Sequence, residues 1–600
     1  MILLAAEETI KSENPNLGGN LKLIALIAIL GAITFWLAQY VQSQISPSGF
    51  TDNDDFVRLV QAKDLLAGQG WYDPVQYRLG LAEGTVMHWS RLIDAPIALA
   101  LYIGGQEFAS IAWPFFLSVL AFAGLFYGAF KFGGRDALFP MMVAGFGALW
   151  SVNRFWYASF DHHNVQIVLL IWTVVLIVPK YATPSGMAIA GLLCALMLAI
   201  GIETLPHVAI IGIWVFFALI MNAVTRRHAA AFAGGLAVSS VLLVPGLLPL
   251  SQWTHGACDS FSIFQVTLAL AGGGALFLAA MSSRRPLQLA IMLLGGIVGF
   301  LAIYHFFPSC LENPFSKMPP LMREFWLDKV IEVQSIVVMV IVQPATFLAY
   351  FAIPAVAINL CIIALRRRYE RASASLFLAL IFVGLVLSFW QVRAIVFVVI
   401  LSLIPMAIAV SIARKRTIDT RKLSVALTTM ILYIASFAPF WSFPAHAFGP
   451  LTNSLVAAAA DAAQPGEPEK KSDLCYDETL YSVLASEPTG VVLSSTNVGA
   501  RILAHTGHRA IAGPYHRNVE GILFQIRTMT GTPEIARSAI ASEGVTHIAD
   551  CVWGPDAYDF IKAEPDGFQA QLIEDHTRFD WLELIPETGD KPLRIFRVVQ

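Results

Sequence analysis

The sequence predicts a polytopic α-helical membrane protein followed by a soluble α/β domain, and three observations carry that reading. Of 600 residues, 56% are hydrophobic and 14% charged, with a mean hydropathy of +0.65; soluble domains run at about 45–50% apolar and about 25% charged. Apolar runs long enough to cross ~30 Å of hydrocarbon recur along the first 445 residues. Residues 451–600 then hold 21 of the 42 acidic residues but only 12 of the 39 basic ones, a net −9, while the remainder carries +6. A disordered chain and an ordinary cytosolic enzyme are excluded by this composition, and an overall charge of −3 argues against a nucleic-acid partner. There is no P-loop, dinucleotide fingerprint, zinc spacing or tandem repeat.

The apolar runs fall near 21–41, 108–130, 136–150, 164–179, 185–201, 205–223, 229–249, 261–281, 287–307, 338–365, 373–390, 394–412 and 423–442, which makes about thirteen spans. The segment 92–105 is apolar but too short to cross, and reads as an interfacial or re-entrant helix. Basic residues set the orientation. With a cytoplasmic N-terminus, one set of short loops holds sixteen Lys and Arg, among them Arg366, Arg367, Arg368, Arg414, Lys415 and Arg416; the opposite, longer loops hold nine. The first set is expected to be cytoplasmic. An odd number of spans then puts the C-terminal part in the periplasm of a bacterial cell, with the body in the inner membrane. The first span lacks a small-residue cleavage site and reads as an anchor. The expected domains are 1–445 in the membrane, with outer loops near 43–107 and 308–337, and 446–600 outside.

This topology sorts the six cysteines. Cys258 and Cys310 fall in consecutive outer loops, Cys475 and Cys551 in the outer domain, and Cys194 and Cys361 in spans. The two outer pairs are candidate disulfides in an oxidising compartment, the alternative being four free thiols.

Charged groups at a membrane face are costly and are functional candidates by default. Four sets are expected outside. Asn53, Asp54 and Asp55 follow the first span and open a helix, where they serve either as caps, with Asp52 or Asn53 at the N-cap, or as a cation-binding or general-base carboxylate. Asp161–His162–His163 lies between the third and fourth spans, and residues two apart on an extended loop can converge on one cation. Glu332 stands in an otherwise apolar Val-Ile-Glu-Val stretch. Arg393 opens a late span, where it either snorkels to the interface or holds a phosphate or diphosphate.

Together these segments resemble the catalytic subunit of oligosaccharyltransferases of the GT-C glycosyltransferase superfamily, in its archaeal and bacterial single-subunit form. An Asn-Asp pair after the first span, leading into an amphipathic helix with a Gly turn, is matched by Asn53–Asp54 and Leu65–Leu66–Ala67–Gly68. The Asp-His-His of archaeal members, preceded by Asn-Arg, is matched by Asp161–His162–His163 after Asn153–Arg154. The Thr-Ile-x-Glu that ends the large outer loop looks degenerate here, as Val330–Ile331–Glu332 with Lys329 where the Thr would stand. The Arg that binds the donor diphosphate looks like Arg393. The likeness covers roughly residues 20–445. It departs from the family in one respect: the Trp-Trp-Asp-Tyr-Gly string that reads the acceptor sequon is missing from 443–600, and Gly70–Trp71–Tyr72–Asp73 is in the wrong loop.

The resemblance implies a GT-C fold and transfer from a polyprenyl-diphosphate-linked sugar donor; with no covalent nucleophile evident, direct displacement predicts inversion at the anomeric carbon. It implies a divalent cation, Mn or Mg, held by Asp54, Asp161 and His163. Asp54 and Glu332 would be catalytic, and Arg393 and Arg154 would bind the donor diphosphate. With the sequon reader missing, the acceptor is expected to be a hydroxyl on a periplasmic glycan, glycolipid or protein. His162, Tyr515 and His516 are candidate donor or acceptor contacts. The competing readings are a polyprenyl-monophosphate-dependent GT-C transferase, a protein oligosaccharyltransferase, and a lipid-glycan transporter. Candidate strands in the outer domain are 490–495, 545–551 and 593–599; candidate helices are 497–506, 518–529 (with Asn518 as a cap) and 533–543; 461–473 reads as a linker.

Overall fold

The computed structural model describes residues 17–45, 52–442 and 473–599; the expected linker at 461–473 lies almost wholly outside them. The protein is a multi-pass membrane protein. Among the described residues, nine helical segments are long and apolar enough to cross a membrane, one of them, Arg91–Val152, spanning 62 residues, and three shorter apolar helices accompany them. Each apolar run read from the sequence coincides with helix. Two differ in detail. The run at 338–365 divides into Ile336–Val342 and Pro344–Arg366, because Pro344 pushes Gln343 out of helical geometry (φ −137°, ψ 64°). The 92–105 segment is the first part of a helix that runs on to Gly133 and is broken at Gly105, whose φ of 73° suits a residue without a Cβ.

Two compact units form. The first comprises Met1–Phe50, Gln106–Pro314 and Glu332–Asn453; the second comprises Thr51–Gly105, Phe315–Ile331 and Ser454–Gln600. In the first unit, the helix Ile395–Thr420 is apolar on all sides as far as Ala413 and accordingly buried on almost every face over that length. Helices Pro184–Ile200 and Arg226–Leu247 approach at backbone distance. A Cβ on Gly191 would lie 2.2 Å from the Phe232 carbonyl, and one on Gly235 would lie 2.2 Å from that of Ala188, the close approach that small residues permit between membrane helices. Cys258 and Cys310 are bonded, with Cα atoms 5.2 Å apart.

The second unit is built on a five-stranded sheet. β1 (Val75–Gln76) and β2 (Thr85–Val86) form a separate short hairpin. β3 (Val491–Ser494), β4 (Arg509–Ala510), β5 (Val545–Cys551), β6 (Leu582–Leu584) and β7 (Leu593–Val598) are ordered β4-β3-β5-β7-β6. The first three strands run parallel and the last two pair antiparallel. Alternation fills both faces. Val492, Ala549 and Ile595 enter one core, while Leu493, Ile548 and Phe596 enter the other. The first core also takes in Phe56, Val57, Val60, Leu79 and Trp89; the second takes in Met322. Residues 51–105 are therefore part of the same packed body as the C-terminal sheet. Leu79 pairs with Ala510 and extends the sheet past the β4 edge. Cys475 and Cys551 are bonded, with Cα atoms 5.9 Å apart. Asn518 stands at the N-cap of the helix Val519–Thr530 as expected, but its side chain makes no capping hydrogen bond; its amide instead donates to the Ile511 carbonyl at 3.2 Å, closing the preceding loop.

Candidate active site

In the first unit, the helix Leu138–Val152 stops at Asn153, which takes the left-handed conformation (φ 53°) that asparagine tolerates at a C-terminus. The chain turns through 154–162 and re-enters helix at His163. Asn164 pins this turn by donating to the Ser159 carbonyl at 3.0 Å. Asp161, His162 and His163 are consequently buried, at 3%, 4% and 4% exposure.

Asp161 is the hub of this cluster. Its Oδ1 accepts the His162 backbone N–H at 2.6 Å and lies 2.7 Å from His162 Nδ1, while its Oδ2 lies 2.5 Å from His163 Nδ1. The three side chains each offer a ligand atom within 4.8 Å of the others. Burial alone would raise the Asp161 carboxyl, but the adjoining His163 and His162 rings hold it well below the usual carboxylate range. Burial would lower His162, yet Asp161 pushes it up to about 10. His163 Nε2 has no hydrogen-bond partner among the described residues.

Arg154 joins the cluster to Glu332. Its guanidinium bonds the Glu332 carboxylate directly and lies 3.7 Å from Asp161 Oδ2. Arg154, read from the sequence as a donor-diphosphate ligand, thus stands against two acids. Arg393 Nε donates to Gln391 at 3.0 Å, and its NH1 lies 3.8 Å from Glu203. Glu203 also lies 3.8 Å from His162 Nε2 and accepts from Gln166 at 3.3 Å. Sequence reasoning missed Glu203. The signal was present, since it is the lone acid in the apolar stretch 185–223.

Asp54 belongs to the second unit, in the first turn of the helix Asn53–Leu66. Asp52 is the N-cap there, and its N–H donates to Asp55 Oδ2 at 3.0 Å. The same unit holds Tyr515, which donates to the Asn53 carbonyl at 3.1 Å, and His516, whose ring lies 4.6 Å from that of His88.

No family model and no curated protein matches the chain. Solved structures do. An archaeal oligosaccharyltransferase, AglB from Archaeoglobus fulgidus, in complex with an inhibitory peptide and a dolichol-phosphate, matches at 15% identity and a TM-score of 0.63, over 92% of this chain and 72% of that one. The same organism's oligosaccharyltransferase in complex with Zn and sulfate matches at 15% identity and a TM-score of 0.60, over 91% and 70%. Its form tethered to an acceptor peptide containing the NVT sequon matches at 15% and 0.62, over 96% and 74%. Identity this low speaks to architecture alone: the chain shares the overall fold of that archaeal membrane enzyme.

Proposed function

We propose that the protein is a membrane glycosyltransferase that moves a glycan from a polyprenyl-diphosphate donor to a hydroxyl acceptor on the periplasmic side of a bacterial inner membrane. The observation that carries this reading is the buried Asp161–His162–His163 cluster, tied through Arg154 to Glu332, on a GT-C fold. The donor set fits a divalent cation. A carboxylate and an imidazole whose Nε2 has no hydrogen-bond partner among the described residues suit Mn or Mg, and the His leans toward Mn. Asp161 and His163 would hold it, and the family resemblance adds Asp54 as a third ligand. When bound, the cation supplies charge neutralisation for the diphosphate leaving group.

The chain's own groups do the rest. Arg393 grips the donor diphosphate. Asp54 accepts the proton of the acceptor hydroxyl as its oxygen bonds the anomeric carbon and the bond to the diphosphate oxygen breaks. Glu332 orients the acceptor. One displacement with no covalent enzyme intermediate inverts the anomeric centre. A hydroxyl needs only a base and alignment, whereas an amide nitrogen needs a dedicated reader, and the string that builds one is missing here.

The deciding experiment offers the purified protein a lipid-linked glycan with either a glycan acceptor or an Asn-x-Ser/Thr peptide. Transfer to the glycan hydroxyl is expected; transfer to the peptide asparagine would overturn the acceptor assignment.

A further inference from the structure

Glu203 has no part in the transfer proposed above, yet it stands between two groups that the transfer needs on the donor side. It sits in the short turn Ile202–Thr204, between the helices Pro184–Ile200 and Leu205–Ile220, in the same compact unit as the Asp161 cluster and Arg393. Its Oε2 lies 3.8 Å from His162 Nε2 and accepts from Gln166 Nε2 at 3.3 Å, while its Oε1 lies 3.8 Å from Arg393 NH1. His162 Nδ1 in turn lies 2.7 Å from Asp161 Oδ1. One carboxylate therefore reaches, through His162, the acid that would hold the cation, and on its other oxygen the arginine that would grip the diphosphate.

The space for this carboxylate is built. Gln166 is fully buried and donates both to Glu203 and to the Gly201 carbonyl, the latter at 3.4 Å. Gly201 is extended (φ −173°, ψ 152°), a conformation open to any residue, so its missing side chain serves space and not backbone freedom. A Cβ there would strike the Glu203 carboxylate and come within 2.8 Å of Gln166 Nε2 and 3.3 Å of His162 Nε2. Arg393 is held differently. Its Nε is taken by Gln391 at 3.0 Å, whereas 3.8 Å to Glu203 is too long for a hydrogen bond. The attraction thus orients the guanidinium without using up the N–H groups that a phosphate would accept from.

We infer that Glu203 is a positioning residue: it fixes His162 behind Asp161 and Arg393 beside it, and so sets the spacing between the cation and the guanidinium that together take the donor diphosphate. Gly201 supplies the room in which this is done. The inference rests on the reading of Asp161 as a cation ligand and of Arg393 as the diphosphate ligand. Groups that orient a metal ligand from behind are worth about 10–100-fold in metal affinity.

The test is calorimetric titration of the purified full-length protein with Mn2+, and with farnesyl diphosphate at saturating Mn2+. Asp161→Asn is expected to lose most of the Mn2+ affinity. Glu203→Gln, which keeps the shape and removes the charge, is expected to lose about 10–100-fold for Mn2+ and several-fold for the diphosphate. Gly201→Ala, which leaves Glu203 in the chain but takes its space, is expected to lose both in the same way, and the double variant to be no weaker than the weaker single one, because both changes undo one arrangement. Thr173→Val removes another hydroxyl from the same bundle, one that donates to the Leu169 carbonyl at 2.7 Å; it is expected to leave both affinities unchanged, separating position from general destabilisation. Should Glu203→Gln fail to fold, Gly201→Ala carries the test by the same criteria. Wild-type affinity for either probe in Glu203→Gln, tighter diphosphate binding in it, or losses that add in the double variant overturn this inference, while the loss in Asp161→Asn leaves the metal reading standing. Unchanged Mn2+ affinity in Asp161→Asn, or no Mn2+ binding by the wild-type protein, overturns both.

Discussion

Arg154 and Glu332 are joined by a direct guanidinium–carboxylate contact although 178 residues separate them. The same guanidinium lies 3.7 Å from Asp161, so one cation serves two acids that would otherwise repel. Both acids are expected to act in the reaction, and their common counter-ion sets where each stands.

Replacing Arg154 should therefore disturb both. Arg154→Met is expected to lower kcat/KM for glycan transfer by ten- to a hundredfold, in line with the roughly 1.5–3 kcal/mol of hydrogen bonds to charged groups. Arg154→Lys should recover only part of this, because an ammonium offers no planar fork to two carboxylates. Wild-type turnover in Arg154→Met would show that the contact does not position the site.

Removal of divalent metal should abolish transfer, and Asp161→Ala and His163→Ala should do the same even with metal in excess. The expected loss is several kcal/mol of barrier, since the leaving diphosphate then departs without neutralisation. Activity that survives exhaustive chelation, restored to neither more nor less by added Mn or Mg, would remove the metal from the mechanism.

The acceptor and donor sides should separate kinetically. Glu332→Gln is expected to raise the KM for acceptor with little change for donor, and Arg393→Ala to raise the KM for donor with little change for acceptor. The geometry motivates the split. Glu332 is held by Arg154, while Arg393 has different partners, Gln391 and Glu203. Equal effects of both variants on both substrates would refute the division of labour.

What was legible in the sequence follows from how local each signal is. Every apolar run became helix because a span is written in consecutive residues. Strands at 491–494, 545–551 and 593–598 were readable from their β-branched content, whereas Arg509–Ala510 and Leu582–Leu584, two and three residues long, are too short to show alternation. Asp161, His162 and His163 stood out because they are contiguous. Glu203 stands out only as the lone acid of its apolar stretch; its partners His162 and Arg393 lie far from it in sequence and are not legible there. The packing of residues 51–105 with the C-terminal sheet was likewise hidden, because the apolar face of Phe56, Val57 and Val60 names no partner.

The last prediction concerns stability. Asp550 lies on β5, 4% exposed, and burial pushes its carboxyl from 3.8 up to about 6, against the opposing hydrogen bond from Gln569 at 3.0 Å and the charge of Arg594. A carboxyl with a raised folded value binds its proton more tightly in the native state than in the unfolded chain. It therefore costs nothing below about pH 4; its burden appears as pH rises through 4 to 6 and is complete above, at roughly 3 kcal/mol. Asp550→Asn should remove that burden, because an amide oxygen can still accept from Gln569 and carries no charge to desolvate. The variant is expected to match the wild-type protein in thermal unfolding at pH 4 and to exceed it increasingly up to pH 7, by several degrees. The comparison is between two proteins at each pH, so the acids remote from Asp550 cancel; Asp556, whose charge adds to the upward push on Asp550, is the one neighbour that responds to the change. A melting difference that is the same at pH 4 and pH 7 would mean that Asp550 is not the group whose burial is being paid in charge.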